Sequence, residues 1–155
     1  AGPEDEDKEY AAECRSLVTS LGLEKNVEFL GFQKIDELLP KVGVVVLSSI
    51  SEALPLVLLE GFAAGVPAVS TDVGSCRQLI EGLEEDDRAF GTAGSVVGIA
   101  DPEALGKAVA NLLSNPQAWH EAQQAGIRRV ETLYTQQQMF GSYRELYQGL
   151  LEGER

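Results

Sequence analysis

The 155-residue sequence predicts an α/β fold, a parallel sheet with flanking helices, and three observations predict it. Helical and extended segments alternate along the chain, each bounded by Gly, Pro or Asx residues. The run Val44-Val45-Val46-Leu47 is too uniformly apolar for a strand with one wet face, so it reads as a central strand covered on both sides. Helix punctuation is in place at both kinds of end. Asp101-Pro102-Glu103 offers a cap, a first-turn proline and a favourable acid, and Gly65-Val66-Pro67 supplies a left-handed residue and then a breaker.

Taken in order, the first helix is predicted over Glu9 to Leu21, with Leu17, Val18 and Leu21 on one stripe and Gly22 as its stop. A strand, Val27 to Leu30, follows. Ile35, Leu38 and Leu39 make the apolar face of a short helix that must end before Pro40. After the apolar strand, Ser48 to Leu54 opens as a loop, and a helix runs from Pro55 to Ala64. Ala68 to Thr71 is the next strand; then come a turn at Asp72 to Ser75 and a short helix through Leu79 and Ile80. The acidic stretch from Glu81 to Asp87 reads as a solvated loop. Ser95 to Val97 is the last strand, and the remainder is helical. Breaks near Pro116 and Thr135 divide that remainder, and its last segment carries Met139, Tyr143, Leu146, Tyr147 and Leu150 at helical spacing, a pattern more often core than recognition surface.

Length and composition bound the function. One compact unit is expected, and 44% apolar content with no long apolar run gives neither a membrane span nor, at the amino terminus, a secretory leader, so a cytoplasmic location is expected. Cys14 and Cys76 are too few for a disulfide framework or a metal cluster and read as reduced thiols. With 25 acidic against 12 basic residues the net charge is −13, which repels nucleic acid and anionic membranes. Any phosphate site must therefore use local donors such as a helix amino terminus.

The chemistry concentrates in Ser48 to Gly65, where an apolar strand leaves the sheet and an oily helix begins, since ligands bind at such carboxyl ends in open parallel sheets. Pro55 suits the first helical position and leaves the N–H groups of Leu56 and Val57 without intrahelical partners, ready for a phosphate. Glu60, among Leu56, Val57, Leu58, Leu59, Phe62 and Ala63, is expected to be partly buried, and Glu52 faces the same crevice from the loop. Two carboxylates so placed point to hydroxyl recognition. Taken singly, Glu52 would be an exposed loop acid and Glu60 a rim carboxylate. His120 beside Trp119, and Cys76 with Arg77, read as surface or packing residues.

The text from Glu52 to Glu60, followed by Gly61-Phe62-Ala63-Ala64-Gly65-Val66-Pro67 and Ser70-Thr71-Asp72-Val73-Gly74, resembles the Glu-x7-Glu motif region of glycosyltransferase family 4. Agreement extends to Val27-Glu28-Phe29-Leu30-Gly31 and to Asp101-Pro102-Glu103-Ala104-Leu105, so it covers nearly the whole chain. Ile50 to Pro55, Gly74 to Arg77 and Asp87 to Ala89 further resemble the cytosolic glycosyltransferases of the Pel exopolysaccharide system. The resemblance implies a Rossmann-like sheet in the C-terminal, donor-binding half of a two-domain GT-B enzyme. That half would be truncated at its N-terminus, with the first βαβ unit missing, and inactive alone. The implied enzyme retains anomeric configuration, needs no metal or other cofactor, and moves a sugar from a nucleotide donor, a UDP-hexose, onto a polysaccharide acceptor. Carried over, Glu52 would be the catalytic residue beside the donor sugar and leaving phosphate, orienting sugar hydroxyls and helping to stabilise charge, Glu60 would bind the ribose hydroxyls, and Pro55, Leu56 and Val57 would meet the diphosphate. Gly31, Phe32 and Gln33 would approach the base, with Gly74 and Ser75 bordering the sugar.

This chain departs from the family pattern in having Pro55 where relatives often have Gly, and Gln78 where many carry Glu, so no charged contact is carried over there. The basic diphosphate clamp would lie outside the chain, as would the acceptor-side domain of the same enzyme. With the two central strands absent, Val27 to Leu30 is expected either to pair directly with Val44 to Leu47 or to join another copy by swapping or edge association. The rival function is a nucleotide-sugar-binding or assembly module of a polysaccharide-export complex. An unrelated Rossmann-like nucleotide domain would need a Gly-x-Gly-x-x-Gly loop, which the sequence lacks.

Overall fold

A computed structural model of the protein describes Gly2 and residues 7–153. Where one compact unit was expected, the chain divides into two, Ala1–Lys41 and Val42–Arg155.

In the first unit, α1 (Lys8–Ser20) starts where the Asp7 carboxylate accepts the Tyr10 N–H at 2.9 Å. It ends in a Schellman closure, with Gly22 at φ 66° donating to Thr19 and Leu23 donating to Val18. None of its residues is buried. The Arg15 guanidinium lies 4.4 Å from the centre of the Phe29 ring. Val27 to Leu30 forms no strand, which corrects the expectation of a pairing with Val44 to Leu47 within the chain. A strand exists only through a partner's backbone, and β propensity alone cannot supply one. α2 (Ile35–Leu38) ends before Pro40, as expected, and is followed by a 3₁₀ turn, Leu39–Lys41, that takes in the proline. Leu39 donates to Ile35, so the ladder is kept up to the proline, whose missing N–H costs nothing in a turn that continues no further.

The second unit is built on a sheet of β1 (Val45–Leu47), β2 (Ala68–Thr71) and β3 (Gly94–Val97) in that order, both pairs parallel. All four residues of β2 are buried, as its middle position requires. β1 is an edge strand with Val46 46% exposed, so the reading of Val44 to Leu47 as central and covered on both sides is wrong in this structure. An all-apolar strand reports what its faces can pack against and not where in the sheet it lies. Gly94, at φ 150°, lets β3 approach β2, because a Cβ there would sit 1.7 Å from the Ala68 carbonyl oxygen.

The helices are α3 (Leu56–Ala63), α4 (Cys76–Glu81), α5 (Glu85–Arg88), α6 (Pro102–Ser114), α7 (Pro116–Leu133) and α8 (Gln136–Gly153). α3 ends as the sequence predicts, with Gly65 at φ 73° donating to Phe62 and Val66 donating to Gly61. α7 crosses α3 closely at Gly126, where an added Cβ would lie 3.0 Å from the Phe62 ring. Asp101 caps α6 by accepting the Ala104 N–H, and Asn115 caps α7 in the same way from Ala118. Val69, Leu112 and Ala122 centre one core cluster, and the nearby Trp119 indole donates to the Gly43 carbonyl at 2.6 Å.

Two further expectations are corrected. Asp87, at the end of the supposed solvated loop, is buried, and α5 occupies part of that stretch. Its carboxylate accepts from Arg129 Nε at 2.6 Å and from the Leu83 N–H at 2.9 Å. Arg129, wholly buried, also donates to the carbonyls of Leu79, Ile80, Asp87 and Gly91. The α8 stripe is not core: Met139, Tyr143, Leu146, Tyr147 and Leu150 are all exposed, with the two tyrosine rings stacked at 6.4 Å. Among the described residues no helix is long and apolar enough to cross a membrane.

Candidate functional site

The loop leaving β1 and the turn leaving β2 meet at the carboxyl end of the sheet, where the order of strands brings their ends side by side. Pro55 is the cap of α3, at φ −75° and ψ 99°, one place ahead of the expected first helical position. The first inward hydrogen bond is from the Leu58 N–H to the Pro55 carbonyl at 3.1 Å. The amides of Leu56 and Val57 therefore stand ahead of the ladder, as the sequence requires, and Leu56 is 61% exposed.

α3 buries Leu58, Gly61 and Phe62, a stripe at three and four spacing. Glu60 lies off that stripe, three and four residues after Val57 and Leu56, so it shares their face of the helix. It is exposed, which corrects the expected partial burial. The neighbours that made burial look unavoidable are neighbours in sequence; the packing stripe turns most of them away. Its carboxylate has no protein partner among the described residues, which leaves both oxygens for a ligand.

Glu52 is half-buried and held. The Ser49 hydroxyl donates to Glu52 Oε1 at 2.8 Å. The buried Thr71 hydroxyl, from the end of β2, meets the Ser49 carbonyl at 2.5 Å and the Leu47 carbonyl at 3.4 Å. From the other side, Gly74 at φ 49° presses on the same loop: a Cβ there would sit 2.3 Å from the Glu52 carbonyl oxygen. Ser75 donates both its N–H, at 3.0 Å, and its hydroxyl, at 2.9 Å, to the Ala53 carbonyl. The structure thus joins Glu52, Gly74 and Ser75, three residues the sequence singled out, and gives Ser75 a bracing contact. Gly31, Phe32 and Gln33 lie in the first unit. There Gly31 has φ 60°, Phe32 is 79% exposed, and Gln33 donates to the Leu30 carbonyl at 2.7 Å.

Of the residues read as bystanders, Cys76 is a buried free thiol and His120 is exposed. Arg77 is bound by Asp72 at 2.7 Å and Glu81 at 2.8 Å, and those two partners, Asp72 first, drive its pKa further above the usual guanidinium value. It is therefore engaged by carboxylates of its own surface. Sequence reasoning missed Ser49 and Thr71. Their signal was a hydroxyl residue at or just beyond the end of each of two adjacent strands, beside a singled-out acid. A groove of about 1130 Å³ lies elsewhere, along β3, α6 and α7, and includes Lys107, Asn111, His120 and Arg128.

With this geometry in hand, residues 1–129 match the family described as Glycosyl transferases group 1. The chain is 38% identical over 111 residues to an exopolysaccharide phosphotransferase of Streptomyces coelicolor, covering 70% of this chain and 11% of that protein. It is 29% identical over 143 residues to the N-acetyl-alpha-D-glucosaminyl L-malate synthase of Bacillus anthracis, covering 90% of this chain and 35% of that protein. Its fold is similar to that of Anabaena Alr3699/HepE, solved in complex with UDP and glucose, at a TM-score of 0.75 and 22% identity over 93% of this chain and 39% of the other. The chain thus spans about a third or less of the length of the relatives it matches.

Proposed function

Since the chain belongs to the group 1 glycosyl transferases, we propose that it supplies the nucleotide-sugar-binding part, the C-terminal donor domain, of an enzyme that transfers a sugar from a nucleoside diphosphate. One observation carries the reading: the open amides of Leu56 and Val57 and the unpartnered carboxylate of Glu60 share one face of α3, at the sheet end where Glu52 is anchored. A helix amino terminus receives a diphosphate without a basic cluster, which a chain of net charge −13 does not offer broadly. A carboxylate one turn along, with both oxygens free, suits a pair of vicinal ribose hydroxyls. Negative charge grows on the diphosphate as the glycosidic bond breaks, and amides fixed ahead of the reaction stabilise that charge without reorganising. Glu52 then orients the sugar hydroxyls, and Gly74 borders them.

The finer parts of the proposal are a UDP-hexose donor, retention of anomeric configuration, no metal or other cofactor, a polysaccharide acceptor and a cytoplasmic setting. The narrowest is a PelF-type role in Pel exopolysaccharide synthesis. The UDP and glucose held by a structural neighbour support the donor class, and the exopolysaccharide enzyme among the relatives supports the acceptor class. On this reading the partner that completes the crevice is an acceptor-side domain, and the 155 residues alone are inactive. The test is UDP binding and UDP release from UDP-hexoses by the full-length polypeptide that carries this chain. Glu60→Ala is expected to weaken UDP binding at least tenfold, and Glu52→Ala to lower turnover while leaving UDP binding in place. Equal UDP affinity of wild type and Glu60→Ala would sink the ribose assignment; UDP binding with no release from any UDP-hexose would favour a non-catalytic assembly module.

A further inference from the structure

We propose that Ser49, itself set by Thr71, is a positioning residue that holds the Glu52 carboxylate in the orientation needed for transfer; this rests on the role given to Glu52 above. The observations are a chain of contacts that runs from the middle of the sheet to the loop. Thr71 closes the central strand, is 4% exposed, and spends its hydroxyl proton on the main chain of another element, the Ser49 carbonyl 22 residues away in sequence at 2.5 Å. A hydroxyl has one proton, so the shorter contact takes it and the Leu47 carbonyl at 3.4 Å receives at most a shared one. That fixes the backbone of Ser49, whose own hydroxyl donates to Glu52 Oε1 at 2.8 Å. Oε2 takes no partner among the described residues.

The arrangement has the form of a support for an acting group rather than of a stability device. Glu52 is only half-buried, so water would satisfy Oε1 at little cost if Ser49 were removed. What the serine adds is confinement. A glutamate in a loop of eight residues without helix or strand, 48–55, would otherwise sample many rotamers, and only a few present one oxygen to a substrate hydroxyl. Gly74 limits the same loop from the opposite side through its contact with the Glu52 carbonyl oxygen, so main chain and side chain are fixed by different residues.

The experiment measures UDP release from UDP-hexoses by the full-length polypeptide, with thermal unfolding as the check on folding. Ser49→Ala is expected to lower kcat about tenfold while the KM for the donor stays within about twofold, since a misaligned group weakens the transition state more than the ground state. Ser49→Thr, which keeps the hydroxyl, is expected to recover most of the loss. In a Glu52→Ala background Ser49→Ala is expected to add nothing, because its effect passes through the carboxylate. Thr71→Ser is expected to stay near wild type and Thr71→Val to behave like Ser49→Ala. Wild-type turnover in Ser49→Ala, or an equal loss with and without the Glu52 carboxylate, overturns the proposal and leaves the function standing. A wild-type protein that releases no UDP from any UDP-hexose overturns both.

Discussion

α1 and α3 obey the same local rules and meet opposite fates. α1 has 13 residues, a carboxylate cap and a Schellman closure, yet none of its residues is buried. α3 has 8 residues and no side-chain cap, and it buries Leu58, Gly61 and Phe62. The same contrast separates Val27 to Leu30, which carries Val27, Phe29 and Leu30 but no ladder, from Ala68 to Thr71, equally short and buried throughout. Capping and propensity fix where an element starts and stops. Burial is decided by surface brought from far along the chain, such as α7 for α3 and the flanking strands for β2, and only burial adds the larger stabilisation.

The sharpest way to break this contrast is at the residue that links distant segments most heavily. Arg129→Ala would leave the buried Asp87 carboxylate without its counter-ion and with the Leu83 N–H alone, and would take a donor from four carbonyls; it is expected to cost roughly 3–5 kcal/mol in urea unfolding of the chain. Next, Leu58→Ala removes a fully buried side chain from α3 and is expected to cost about 3 kcal/mol by the same measurement. Gly74→Ala forces a Cβ onto the Glu52 carbonyl oxygen at positive φ; about 1–3 kcal/mol is expected. With it, turnover of the full-length polypeptide should fall more than its stability suggests. Smallest of all, Leu17→Ala in α1, at a side chain 58% exposed, is expected to change stability by less than about 0.5 kcal/mol. A loss at Leu17 equal to that at Leu58 would erase the distinction between the two helices.

The same contrast explains what the amino-acid sequence disclosed. Element identity was legible wherever a local signal sufficed: Gly22 and Gly65 stop their helices, Asp101 caps α6, and Ala68 to Thr71 is a strand with the expected bounds. The loop with Glu52 and the turn with Gly74 and Ser75 were placed together only by the family resemblance; the structure supplies the physical reason, since strands adjacent in a parallel sheet end together. Facts that depend on partners were not legible. Val44 to Leu47 has the composition of a central strand and lies at an edge, Glu60 has oily neighbours and lies in the open, and Asp87 sits in an acidic run and is buried. Asp87 could not be read without Arg129, which lies 42 positions away and carries no local sign of burial. Ser49 and Thr71 escaped notice for a related reason: a hydroxyl becomes informative only once the group it touches is known.

Arg129 also sets a timetable. Its five donor contacts reach back to residues 79–91, so during synthesis the whole corner around α4 and α5 emerges from the ribosome before the side chain that fastens it exists. Until α7 has been made, Asp87 has only the Leu83 N–H and solvent, and those carbonyls lack the donors that Arg129 brings; closing so long a loop must precede any gain from it. A nascent chain halted before α7 would therefore present that corner, without its buried guanidinium, loose to proteases.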